Sequence, residues 1–321
     1  MAATKSGLVL PENRWLVREP SPDVQARGTM GYTEFVSPVG HWELRSGLKV
    51  EATAGALLSI DFSAMSDAMV RERVESGRYF PAVIEAVKKR VQIINALALC
   101  LHSATVEEAN ITYGGFRVTH QDLVHFSESD SGMSWSGPNL PTVPGHGFVI
   151  RHRNGVCSDS MIAAACNLLD DVLLNEHEKV LDLVVLMNHA LVACKGHDFD
   201  LAVATAWTVC ESLIDSWWRE YAETQASRLS LSVDRKRRDL WAGRDFTASI
   251  IVETMTLAGV IPADLSKVIG EVRGKRNKWI HGVAAPTYED AVKAVTLTHD
   301  LLEKVVGLNI RLAPSIGVSG I

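Results

Sequence analysis

Apolar residues recur at three- and four-residue spacing over most of this chain and alternate with polar ones over only a few short stretches. Phe80, Val83, Val87, Val91, Ile94, Ala98 and Leu101 share one face of a 3.6-residue repeat, which predicts a long amphipathic helix. Met161–Leu174 and Val180–Cys194 predict two apolar helices separated by the polar segment Asn175–Glu178. Asp198 is placed to cap the next helix, where Phe199, Ala202, Ala206, Cys210, Leu213, Trp217 and Tyr221 repeat with helical period. A polar connection centred on Arg235–Arg238 follows, and another helix is predicted over Thr247–Leu257. Pro262-Ala263-Asp264 opens the next one. Thr287, with Asp290 three residues on, starts a last helix that runs to Gly307. Amphipathic helices joined by short connections predict a helical bundle over residues 155–310.

The N-terminal part has a different pattern. Tyr32–Val36 is rich in β-formers, Ser37–Gly40 has turn chemistry, and Leu48, Val50 and Ala52 alternate with polar neighbours. Ile111, Tyr113, Phe116 and Val118 predict a further strand pair broken at Gly114-Gly115. Residues 30–150 are therefore expected to form a small α+β module, and residues 1–29, without clear period, a flexible arm. Ser127–Gly147 is expected to be a surface loop or linker, because Gly137, Pro138, Pro141, Pro144 and Gly145 crowd its end. The fold class is thus an α+β module followed by an all-α bundle, predominantly helical overall.

Composition narrows the functional classes. The chain has 321 residues, 47% hydrophobic and 22% charged, with a formal net charge of -6. No apolar run reaches the roughly 18–20 residues of a membrane span, and no signal-peptide pattern opens the chain, so a cytoplasmic protein without membrane contact is expected. Cys100, Cys157, Cys166, Cys194 and Cys210 are scattered and odd in number, which favours reduced, buried thiols. His41, His120, His125, His146 and His152 show no ligand spacing, so no metal site is expected. Gly132–Gly137 resembles a serine-hydrolase elbow but lacks glycine at the fifth position. No phosphate-binding or dinucleotide fingerprint is present, and no cofactor is expected.

Against this acidic background one segment stands out. Arg273, Lys275, Arg276, Lys278 and His281 place five basic or titratable side chains within nine residues. Such a cluster calls for an anionic partner. On a helix, Asn277 and His281 lie about 40° apart and share a face, whereas Arg276 lies about 140° from His281. Gly282, directly after His281, suits a helix end that would expose the imidazole. An imidazole with a pKa of about 6.5 can accept a proton from a ribose 2′-hydroxyl or donate one to a leaving oxygen. A guanidinium can hold the phosphate bidentately while charge develops. Trp279 and Ile280 are expected to face the bundle core.

The order Arg276-Asn277-x-x-x-His281 followed by Gly282, ahead of the last helix, resembles the signature of the HEPN superfamily. The resemblance covers roughly residues 180–310. It implies a metal-independent endoribonuclease with Arg276, Asn277 and His281 as catalytic residues. Arg273, Lys275 and Lys278 would bind RNA, and Glu211 on an earlier helix is the candidate carboxylate supporting Arg276. It further implies a homodimer with a composite cleft, and a toxin or antiviral-defence role with a regulatory or antitoxin partner. The alternative is a catalytically inactive HEPN-like scaffold that binds nucleotide, RNA or a protein through the same basic face.

Overall fold

In a computed structural model of the protein, the alternation at Val50 and Ala52 forms a strand, Lys49–Thr53, with both side chains buried. The structure describes residues 5–9, 15–17, 21–27, 29–63, 79–109, 117, 119, 124–129, 132–136, 142–143, 147–149, 156–241, 247–282 and 284–314. Helix predominates among them. The chain divides into two compact units, Met1–Asn188 and His189–Ile321.

The first unit opens with strands Lys5–Val9 (β1) and Trp15–Leu16 (β2), helix Pro22–Arg27 (α1), strand Thr29–Met30 (β3) and the helical turn Tyr32–Phe35 (α2). Strands Pro38–Glu43 (β4), Lys49–Thr53 (β5) and Leu57–Asp61 (β6) precede helix Tyr79–Ala109 (α3). Val124–Ser129 (β7), Gly132–Ser136 (β8), Thr142–Val143 (β9), Gly147–Val149 (β10) and Val156–Cys157 (β11) lead to helices Asp159–Leu173 (α4) and Val180–Lys195 (α5). Six strands form one antiparallel sheet in the order β4-β5-β6-β1-β7-β8. Strands β3, β10 and β9 form a second sheet, and β11 pairs with β2 in parallel.

Four local expectations are corrected here. Lys5–Val9, read as part of a flexible arm, is an interior strand between β6 and β7. Tyr32–Phe35 is helical rather than extended, and Phe35 N–H bonds Gly31 C=O at 2.8 Å. Pro38–Gly40, read as a turn, belongs to β4, with a register irregularity that accommodates the proline. The Ser127–Gly147 stretch holds paired strands, including the β7–β8 hairpin. The strand pair expected at Ile111–Phe116 lies outside the described residues. Gly55 has a steric reason to be glycine: a Cβ there would sit 2.2 Å from the Phe35 ring.

Helices α3 and α4 pack lengthwise. Residues 93–105 of α3 are buried without interruption, so this half is enclosed on every side rather than on one stripe. Two of the polar side chains inside are joined: Asn188 Nδ2 donates to Asn95 Oδ1 at 3.2 Å, and Asn95 Nδ2 to Val91 C=O at 2.9 Å. Asp170, only 2% exposed, points from α4 at the β4–β5 turn. It accepts from the backbone N–H of Arg45, from Ser46 N–H at 3.0 Å and from Ser46 Oγ at 2.6 Å.

The second unit contains helices Phe199–Arg228 (α6), Arg235–Trp241 (α7), Ala248–Leu257 (α8), Ala263–Ile280 (α9) and Tyr288–Val306 (α10). The connection around Arg235–Arg238 is therefore a short helix, and Arg238 Nε reaches Glu223 Oε1 at 3.0 Å. Helices α6 and α10 pack along one another more extensively than any other described pair. Ala202, Ala206 and Leu213 of α6 and Ala291, Ala294, Val295, Leu301 and Leu302 of α10 are all buried, and such small and branched side chains let packed helices approach closely. Helix α9 packs on α6, α8 and α10. The expected caps form: Asp198 accepts from Leu201 N–H at 3.2 Å, and Gly307 ends α10 with φ 76. Trp207 and Trp218 are buried, whereas Trp217 is only partly so.

All five cysteines are buried free thiols. Burial pushes Cys166 up to about 12 and Cys100 and Cys210 further still, which makes them poor nucleophiles. Among the described residues no helix is long and apolar enough to cross a membrane.

Candidate active site

Helix α9 carries the basic segment. It starts after Pro262, and its only buried side chains are Ile269 and Val272. Arg276 stands seven residues on from Ile269, about 20° from alignment, which lays its stem along the same stripe and leaves it half-buried. The helix stops as the sequence predicts. His281 is the C-cap, with its N–H on Asn277 C=O at 3.1 Å. Gly282 takes φ +70 and bonds Trp279 C=O at 2.8 Å. A Cβ at Gly282 would meet nothing within 4 Å, so the left-handed backbone, not crowding, calls for glycine. The His281 side chain is therefore exposed at a helix end.

Arg276 Nη1 donates to Asn277 Oδ1 at 3.2 Å, which joins two of the three motif side chains. Arg273 is half-buried and Lys278 exposed. Lys275 is engaged: its Nζ lies 3.1 Å from Asp290 Oδ2 at the start of α10. Glu211 occupies an exposed position on α6, and no hydrogen bond or ion pair joins it to Arg276 among the described residues. The expectation that Trp279 and Ile280 both face the core is corrected. Trp279 is half-buried, and Ile280 is 48% exposed because it ends the helix beyond the last turn with a buried side chain.

Asp290 was legible as a capping residue but not as a partner of Lys275. It accepts from Thr287 N–H at 3.0 Å while its own N–H bonds Thr287 Oγ1 at 3.3 Å, a reciprocal capping box. Burial pushes the Asp290 carboxyl up, but the Thr287 N–H and the Lys275 ammonium outweigh it and hold it below the ordinary range. A lowered folded-state pKa means the stabilisation is whole above the unfolded value near pH 4 and fades as pH falls through the folded one. Asp290→Ala is expected to cost about 1 kcal/mol at neutral pH, as lost caps do. Thermal unfolding should show wild type and variant converging in acid; a gap that persists at pH 2 contradicts this account.

Lys293 was not singled out as a site residue, yet its Nζ meets Glu271 Oε2 at 2.6 Å across α9 and α10. The Lys293 ammonium, and then its charge, hold the Glu271 carboxyl below the usual range. These residues, with Lys275, Lys278 and Asp290, line a groove of about 300 Å³ between the two helices. No family model matches the chain, nor does any characterised relative or solved structure.

Proposed function

We propose that the protein is a metal-independent endoribonuclease of HEPN type, with Arg276, Asn277 and His281 as its catalytic residues. The observation that carries this reading is the grouping at one exposed helix end of a guanidinium bonded to an amide and an imidazole one turn away. Arg276 binds the scissile phosphate and offsets the charge that grows on it. The ribose 2′-oxygen attacks phosphorus, its proton passes to an imidazole, and the bond to the 5′-oxygen breaks. The leaving oxygen needs a proton in return. One His281 does not fill both roles in one turnover, so the site is completed by a second copy across a two-fold axis. Arg273 and Lys278 hold flanking phosphates, and the protein acts in the cytoplasm under a regulatory or antitoxin partner.

The Lys275–Asp290 pair favours a second reading, because it gives part of the basic segment a structural task. In that reading the bundle is a HEPN-like scaffold that binds RNA, nucleotide or a protein without cutting. Incubation with RNA in excess EDTA separates the two. Cleavage should persist and leave 2′,3′-cyclic phosphate or 3′-phosphate ends. Activity lost on chelation and restored by magnesium or manganese would overturn the proposed mechanism.

A further inference from the structure

The groove between α9 and α10 has two properties that the motif does not account for. Its floor is glycine: Gly270 and Gly274 both line it, and a Cβ at either would meet nothing within 4 Å. Its walls hold three ammonium groups, Lys275, Lys278 and Lys293, against the carboxylates of Glu271 and Asp290. Lys275 and Lys293 are each paired with one carboxylate, at 3.1 and 2.6 Å. An ammonium has three donors, so each keeps donors for another acceptor. Lys278 makes no ion pair among the described residues, which leaves the groove with a surplus of positive charge.

Its position is equally specific. Gly270 and Asn277 are seven residues apart, as are Gly274 and His281, and each pair lies within about 20° of alignment on the helix. The groove floor and the polar motif therefore continue along one face of α9. We infer that this groove is a binding site for a phosphate group, held by Lys275, Lys278 and Lys293 beside the Asn277–His281 end of the helix. The two carboxylates keep the lysine heads in place across the groove and prevent like-charge splaying while it is empty. A phosphate oxygen entering over the glycine floor meets donors from both helices, where a larger side chain at Gly274 would occupy the space. That the phosphate belongs to an RNA strand rests on the ribonuclease reading; the anion site itself does not.

The test uses the full chain and a fluorescent single-stranded DNA oligonucleotide, which lacks the attacking 2′-hydroxyl, followed by anisotropy. A Cβ at Gly274 meets nothing within 4 Å and leucine favours the helix over glycine, so the Tm of Gly274→Leu should not fall. It should weaken oligonucleotide binding at least tenfold, and Lys293→Gln should weaken it several-fold with a shallower salt dependence. Inorganic phosphate and adenosine monophosphate, added at matched ionic strength, identify the source of the anion. Displacement by either marks a small-anion site, and failure of both marks a strand-backbone site; the groove stands in both cases. Unchanged affinity in Gly274→Leu, or no binding of any probe to the wild type, overturns it. Neither result depends on whether RNA is cut, so the groove and the nuclease reading fail separately.

Discussion

Replacing His281 by alanine is expected to lower the rate of RNA cleavage by about 10²–10⁴-fold, the usual cost of losing a general acid or base. The effect should fall on turnover rather than stability, because the imidazole is exposed and its backbone role as C-cap survives in alanine. Arg276→Ala should be comparably damaging. Arg276→Lys should recover only part of the loss, since an ammonium lacks the planar fork that grips two phosphate oxygens. Asn277→Ala tests the bond at 3.2 Å that steadies the guanidinium, and should weaken cleavage less than either. Initial rates on one labelled RNA, with Tm measured in parallel, decide the matter. Near wild-type cleavage by His281→Ala would place the active site elsewhere.

Asp170→Ala is expected to destabilise the first unit by about 1–3 kcal/mol, the cost of leaving one buried donor without an acceptor. The buried carboxylate holds the N–H groups of both Arg45 and Ser46, but these donors are part-buried, so water offsets some of the loss. A whole domain is stable by only about 5–15 kcal/mol, so such a loss is a large share of the total. Asp170→Asn keeps one acceptor oxygen and should lose less. The Arg45–Asp171 contact at 2.6 Å is solvent-exposed, and Asp171→Ala is the control that should change little. Urea unfolding followed by circular dichroism gives the comparison. A loss below about 1 kcal/mol for Asp170→Ala would mean the turn is held by other contacts.

How much of this was legible follows from the range of each signal. The long helices from Met161 onward were readable because each carries its own period and some carry caps, as Asp198, Thr287 and Gly307 show, whereas the short, highly charged α7 was not. Strand β6 was not, since Leu57, Leu58, Ser59 and Ile60 are all buried and show no alternation. Asp170 was hidden for the opposite reason: a charge beside Leu169 on an amphipathic helix ordinarily marks the solvent side. The expected boundary near residues 150–155 followed a change of period, whereas the first compact unit continues to Asn188 because α4 packs on α3. The motif was legible because it lies within one helix. The pairing of Lys275 with Asp290 and of Glu271 with Lys293 was not, because periodicity tells which residues share a face and not which helices adjoin.

The place of β1 has a consequence for the chain as it is made. Lys5–Val9 is made before both of its neighbours, since Ser6 pairs with Ile60 on one side and with His125 on the other. Until Val124 and its neighbours have been translated, one edge of this strand has no partner in the finished sheet, and an unpaired edge is a template for the wrong neighbour. Helix α6 also waits for its main partner α10, but a helix satisfies its backbone hydrogen bonds within itself and presents no unpaired edge in the meantime. The vulnerable interval of biosynthesis thus belongs to the N-terminal sheet, and a nascent-chain chaperone has most to protect there.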